Sequence, residues 1–320
     1  MKIYLAPMEG LVDQHMRQTL TTLGGYDACV TEFVRVVDQL LPSKVFKRLC
    51  PELNNNGNTS AGTPVTVQLL GADIGAMAAN AVRAVRLGAP GIDINFGCPS
   101  RCVTRRNGGS FLLKDPNKIH DIVCSVRQAV DNHIPISAKI RLGYENTDLA
   151  LDNANAVQSA GADFITVHAR TKIDGYKPPA RWEWIAKIKD ELNIPVVANG
   201  DISSVEEYRR CIEITGCEYI MIGRAAVSCP DLAAQIFHDV RNKEYTPLEW
   251  PQIHTLITHM SEIMKTEIKD RFALARIKQW LVFLKQKYPE ANDYFKIVKS
   301  FKKFEELEDF LSLKHSILER

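Results

Sequence analysis

The 320-residue sequence has no run of about 18 apolar residues, so it offers no segment to span a bilayer as a helix. Strand-like patterning begins at Ile3, which leaves no room for a signal or transit peptide; a cytoplasmic protein is expected. The eight cysteines, at 29, 50, 98, 102, 124, 211, 217 and 229, lack the regular spacing of a disulfide framework. Cys98 and Cys102 are four apart, but Arg105 stands where an iron–sulfur triplet would need its third cysteine. No second Cys or His pair completes a zinc site, so no metal is expected. An excess of charge of one sign is also missing: 40 Lys plus Arg face 38 Asp plus Glu, a formal +2. As a whole-chain average, that speaks against a strongly basic nucleic-acid binder. With 45% hydrophobic and 24% charged residues, disordered, collagen-like and coiled-coil classes fall away.

What is present is a βα rhythm. Short Val/Ile/Leu-rich runs at 3–8, 28–33, 65–70, 91–95, 136–141, 164–168, 195–199 and 219–223 alternate with stretches suited to helices, among them 74–87, 116–130, 149–159 and 203–214. The runs are near-continuously apolar, as parallel strands covered on both faces are. Eight such units predict an α/β fold, a (β/α)8 TIM barrel, with an open doubly wound sheet as the alternative. Asp115 ahead of Pro116, and Ser204 ahead of Glu206 and Glu207, have the chemistry of helix starts. Gly88, Gly161 and Gly216 punctuate helix ends, and 54–62 reads as a polar surface loop. After about residue 242 strand signals stop, and Pro247, Pro251 and Pro289 divide helical stretches. A catalytic barrel over 1–242 and an all-helical C-terminal domain over 243–320 are expected.

In such a barrel, catalytic groups gather at the C-terminal ends of the strands. The loops after the seventh and eighth runs hold Asn199, Gly200 and Asp201, then Gly223 and Arg224: glycines that let backbone N–H groups approach an anion, and a guanidinium to add charge. Lys139 is an amine inside an apolar strand, suited to forming a Schiff base or stabilising a developing anion. Gln68 offers a donor and an acceptor to an imide-like edge. Cys98, three residues after Asn95 in a small-residue loop, has a thiol that is mostly protonated near neutrality, fit for a general acid or a nucleophile.

These ends read LAPMEG, NFGCPS with a following glycine pair, SAKIRLG, VHART, ANGD and IGRA, and in that order they resemble the bacterial tRNA-dihydrouridine synthases. The segments EFVRV and ARIKQWL look most like the C subfamily, which acts at tRNA position 16. The resemblance implies an FMN barrel in which NADPH reduces the flavin, the reduced flavin passes hydride to uracil C6, and Cys98 protonates C5 from the opposite side. It implies cofactor contacts for Pro7, Met8, Glu9, Gln68, Lys139, His168, Asn199, Gly200, Asp201, Gly223 and Arg224. Arg35, Asn95, Arg141, Tyr176, Arg276 and Lys278 would face uracil or the rest of the tRNA. The chain departs from the family in RCVTRRNGGSF, poorer in glycine than its relatives, and in Ala169 where glycine is common.

The charge average hides a division. Residues 265–303 hold eleven Lys or Arg and four Asp or Glu, a net +7, which leaves −5 for the remainder. At helical spacing, Arg276, Trp280, Phe283 and Lys287 form a basic and aromatic stripe beside an apolar one. That pattern suits tRNA docking by a monomer with no obligate protein partner. The rivals, an FMN oxidoreductase of small pyrimidines and a non-catalytic tRNA binder, leave unexplained the basic segment and the Cys98–Lys139 pair respectively.

Overall fold

The computed structural model describes residues 1–318. Among these residues nine parallel strands occur: β1 (Lys2–Leu5), β2 (Ala28–Val30), β3 (Val34–Arg35), β4 (Val65–Leu70), β5 (Ile92–Phe96), β6 (Ile136–Arg141), β7 (Phe164–His168), β8 (Val196–Asn199) and β9 (Tyr219–Ile222). The pairing order β2-β1-β9-β8-β7-β6-β5-β4 is closed by β2 against β4, giving an eight-stave barrel to which β3 adds two residues along β4. The expected barrel is therefore the fold, and the open sheet is excluded.

Alternation along each strand sorts side chains to two faces. Toward the helices point Ile3, Leu5, Cys29, Val65, Val67, Leu69, Ile92, Ile94, Phe96, Ile136, Ala138, Ile140, Ile165, Val167, Val196, Ala198, Ile220 and Ile222, all buried. The barrel interior is divided. Tyr4, Ala6, Val30, Val197 and Met221 cluster there as an apolar arc, with the Tyr4 and Phe164 rings stacked at 5.6 Å. From β4 to β8, toward the C-terminal ends of the strands, inward positions carry polar side chains: Gln68, Asp93, Asn95, Ser137, Lys139, Thr166 and Asn199.

One expected strand is broken. Thr31 Oγ1 accepts the Gln68 backbone N–H at 3.0 Å, taking a donor that the strand's own backbone would have used, and pairing resumes only at Val34. Expected helix starts have their caps: Asp115 accepts from Lys118 N at 3.2 Å and Ser204 from Glu207 N at 3.1 Å. Part of 54–62 is more ordered than a loose loop, since it enters from a 3-10 turn over Pro51–Asn55 and makes an Asn58–Pro64 bridge.

By internal contacts the chain forms two compact units, one of 1–17 with 26–223 and one of 18–25 with 224–320. Residues 224–242, which the sequence pattern attaches to the barrel, group with the second unit. That unit holds helices Trp250–Glu267, Asp270–Leu284, Pro289–Val298 and Phe304–Leu318, the first with a reciprocal Glu249/Gln252 capping box. Residues 319 and 320 of the expected helical domain lie outside the described residues. A β-carbon at Gly25 would lie 2.4 Å from the Ala233 backbone, so only glycine allows that approach. No helix among the described residues is long and apolar enough to cross a membrane.

Candidate active site

The polar arc is a connected set of side chains. Gln68 Nε2 donates to Asp93 Oδ2 at 2.6 Å, and Asn95 Nδ2 donates to Gln68 Oε1 at 2.7 Å. Asn95 Oδ1 in turn accepts the backbone N–H of Gly97 and of Cys98, each at 2.9 Å, which holds the start of the cysteine loop. Ser137 Oγ donates to Asp93 Oδ1 at 2.6 Å. On the far side Lys139 Nζ donates to Asn199 Oδ1 at 2.8 Å, while Asn199 Nδ2 donates to the Met221 carbonyl at 2.8 Å. Between them, the Thr166 hydroxyl is buried with no protein partner.

Burial sets the electrostatics. It pushes the Lys139 amine down to about 7, with Arg141 adding to the effect and Asp93 opposing it. It pushes Asp93 up to about 6, against the hydrogen bonds from Ser137 and Gln68 and the charge of Lys139. The Cys98 thiol is likewise raised by burial, the Ser100 backbone N–H working against and Glu9 with it, so the neutral thiol prevails. Cys102 is the opposite case: exposed, and lowered by the Ser100 hydroxyl and by Arg35. All eight cysteines are free thiols.

Arg141 closes the mouth of this arc. Its guanidinium donates to the carbonyls of Gly97 (2.8 Å), Thr171 (3.0 Å) and Gly175 (2.8 Å), and lies 5.1 Å from the Tyr176 ring centroid. The His168 and Tyr176 rings are 6.1 Å apart, and His168 Nε2 is 3.3 Å from Arg170 Nη1. Gly200 has φ +124°, and a β-carbon there would press on Ala180 and on His168 Cδ2 at 3.1 and 3.2 Å. At Gly223 a β-carbon would meet Ala6 and the Met8 sulfur at 3.9 Å, so the ends of β1 and β9 converge.

The first unit therefore gathers Pro7, Met8, Glu9, Gln68, Asn95, Cys98, Lys139, Arg141, His168, Tyr176, Asn199, Gly200, Asp201 and Gly223 at the C-terminal ends of the strands and the loops beyond. Arg35, on β3, donates to the Cys102 carbonyl and thus braces the cysteine loop. The Asp201 carboxylate is engaged by the Arg170 guanidinium and by Ala180 N–H at 2.7 Å, and so holds the loop around it. Arg224 begins the second unit, and Arg276 and Lys278 lie on its Asp270–Leu284 helix. Lys278 Nζ donates to the carbonyls of Lys299 (3.2 Å) and Phe301 (2.7 Å), and Arg276 bonds Gln279. The tryptophan of the expected stripe is not on the surface: Trp280 is 1% exposed and its indole donates to the Val227 carbonyl at 3.0 Å, while Phe283 is half-buried.

Asp93 and Ser137 are absent from the sequence-derived candidates. Their signal is parity: Asp93 stands between two isoleucines and shares the face of Asn95, as Ser137 shares that of Lys139.

A neutral thiol, an amine near its neutral form and a column of directed amides suit a planar heterocycle with one polar edge. A family profile described as dihydrouridine synthase (Dus) matches residues 4–317. The tRNA-dihydrouridine(16) synthase of Shewanella oneidensis MR-1 is 50% identical over 307 residues, 96% of each chain. That of Pseudomonas syringae pv. tomato DC3000 is 51% identical over 295 residues, 92% of this chain and 93% of its own. Among solved structures, histamine dehydrogenase from Rhizobium sp. 4-9 superposes on 84% of this chain with TM-score 0.56 at 16% identity; the match spans 49% of the dehydrogenase. An old yellow enzyme homologue from Zymomonas mobilis gives TM-score 0.51 at 12% identity, over 77% of this chain and 90% of that one. At such identities these two speak to the fold alone.

Proposed function

The chain belongs to the dihydrouridine synthase family, and from that premise we propose that it reduces the C5–C6 double bond of a tRNA uridine to 5,6-dihydrouridine, at position 16 of the D-loop. The position follows the relatives' names, and it is the sense in which the C-subfamily expectation is kept.

The observation that carries the reading is the Cys98 thiol: kept neutral by burial and held by Asn95 at the mouth of the polar arc, it has a proton to give. The arc also fits a flavin. Thr166 has a buried hydroxyl with no protein partner among the described residues, Lys139 turns its amine to Asn199, and at Gly200 a β-carbon would press on Ala180 and His168. When bound, FMN would carry reducing equivalents from NADPH to the uracil ring.

Lys139 would stabilise negative charge on the polar edge of the cofactor, and Gln68 would hydrogen-bond that edge. Pro7, Met8, Glu9 and His168 would border the ring, with Asn199, Gly200, Asp201, Gly223 and Arg224 on the ribityl chain and phosphate. Asn95 and Arg141 would orient the uracil, and Cys98 would protonate C5. Arg35, Tyr176, Arg276 and Lys278 would contact the tRNA, whose uridine must leave its stack to reach the barrel. Phosphate contacts by the basic helical segment make binding salt-dependent. A cytoplasmic monomer, with the catalytic domain at 1–242 and the tRNA-binding domain at 243–320, completes the proposal.

The test is to incubate purified protein with NADPH and unmodified tRNA and to map dihydrouridine by mass spectrometry. A yellow protein bleached by NADPH and a product at position 16 are expected. Protein that takes up no FMN overturns the flavin assignment, product at another uridine overturns the position, and turnover of free uracil but not tRNA favours a small-pyrimidine reductase.

A further inference from the structure

One carboxylate in the polar arc has no part in the proposed chemistry. Asp93 is 1% exposed, in the middle of β5, too deep to meet a substrate at the strand ends. Its oxygens accept from Gln68 Nε2 and from Ser137 Oγ, each at 2.6 Å.

Two primary amides lie between this carboxylate and the cysteine loop. A primary amide has a donor end and an acceptor end of nearly equal shape, so sterics alone do not decide which way it faces. An ionised carboxylate only accepts. Gln68 must therefore turn its NH2 toward Asp93, which turns Oε1 toward Asn95. Asn95 must then turn Nδ2 toward Gln68, which leaves Oδ1 facing the loop. There it meets two backbone donors, Gly97 N–H and Cys98 N–H. The two ends of the chain demand the same direction. Reversal would set an NH2 group against both backbone N–H groups and release the loop.

We propose that Asp93 is a positioning residue whose carboxylate, acting through Gln68 and Asn95, fixes the backbone at Cys98 and so the aim of its thiol. The inference rests on the functional reading only in taking Cys98 as the reactive group. Ser137 keeps the carboxylate from rotating, and Lys139, on the neighbouring strand, supplies the charge that favours its ionised form. Asp93 is thus ionised at neutral pH even though burial raises it to about 6.

The test compares Gln68→Glu with Gln68→Glu/Asp93→Asn. In the single variant two carboxylates abut and the relay is pushed apart. In the double variant Asn at 93 can donate to Glu at 68, whose other oxygen still accepts from Asn95, so the direction returns. Position 68 is the same in both, which cancels any direct effect on a cofactor. The readouts are the iodoacetamide alkylation rate of Cys98, resolved from Cys102 because trypsin cuts after Arg101, and single-turnover dihydrouridine formation. Gln68→Glu is expected to shift both about tenfold, as loss of one buried charge-assisted hydrogen bond does, and the second change to reverse most of that shift relative to the Gln68→Glu enzyme. A double variant that shows no recovery over Gln68→Glu overturns the relay. If alkylation is rescued while no variant, nor the unaltered enzyme, makes dihydrouridine, the relay stands and the functional reading falls. Should the variants not fold, a neutron map of the unaltered protein exchanged into D2O reads the amides directly. ND2 density on the Asp93 side of Gln68 is expected, and ND2 density on its Asn95 side would sink the proposal.

Discussion

Lys139 on β6 and Asn199 on β8 meet over β7 at 2.8 Å, amine against amide oxygen, and among the described residues no carboxylate is hydrogen-bonded to the amine. The charge of Asp93 favours the protonated amine, yet its two oxygens are already engaged by Gln68 and Ser137. The amine is held in a protein-walled site that favours its neutral form, and it is therefore poised to respond to negative charge placed beside it.

A pH-dependent stability follows for protein free of cofactor. With the folded-state value lowered from 10.5 to about 7, the unfolded chain holds more protons on this amine between those limits. Its cost to stability is full below pH 7 and fades as pH rises toward 10.5. Lys139→Met should remove that slope and raise stability at pH 6 by about 1 kcal/mol, a figure discounted because the amine is only partly buried. Thermal melts across pH check it, and an unchanged slope would show that another group sets it.

Cys98→Ala should leave the reduction of bound flavin by NADPH intact and lower dihydrouridine formation by about 10²–10⁴-fold, the usual worth of a general acid. Stopped-flow absorbance and tRNA mass spectrometry separate the two half-reactions. Equal loss in both would contradict a role confined to proton donation.

Arg141 and Tyr176 should divide stability from binding. Arg141 spreads one planar fork over three carbonyls, a geometry that a lysine does not reproduce, so Arg141→Lys should cost about 2–4 kcal/mol in denaturant unfolding. Tyr176, 52% exposed, should cost under about 1 kcal/mol on change to Ala while raising the KM for tRNA. A Tyr176→Ala enzyme with unaltered KM would remove that residue from the substrate path.

Reversing the charges of Arg276 and Lys278 should weaken tRNA binding without changing FMN content, as filter binding at two salt concentrations would show. Lys278→Ala should also lower the thermal midpoint, by about 1 kcal/mol of stability, because its ammonium caps the carbonyls of Lys299 and Phe301. Unchanged binding would take the helix out of the docking surface.

The barrel was legible because each strand presents aliphatic residues to its covering helices, and because Asp115, Ser204 and Gly216 mark boundaries with local chemistry. The break after Val30 was not, since it depends on Thr31 reaching the backbone of Gln68, 37 positions away. Strand ends single out Cys98, Lys139 and Asn199 as candidates. Asp93 escaped that reading because it lies one pleat deeper than Asn95, where its value comes from partners on β4 and β6. Trp280 has the helical spacing of a surface stripe, and only the packing near Val227 shows it to be core.

The two faces of each strand answer to different demands. Outside, Ile, Val, Leu and Ala fill volume, and exchanges that conserve it are cheap. Inside, the amides and carboxylate of the polar arc must each point a donor or an acceptor in one sense, and a shape-preserving exchange can reverse it. Such a scaffold can drift far in sequence on its outer face while its inner face stays a grammar of hydrogen-bond direction. New chemistry on this barrel would be written by changing a few inward letters together, since a single change leaves its neighbour facing the wrong way.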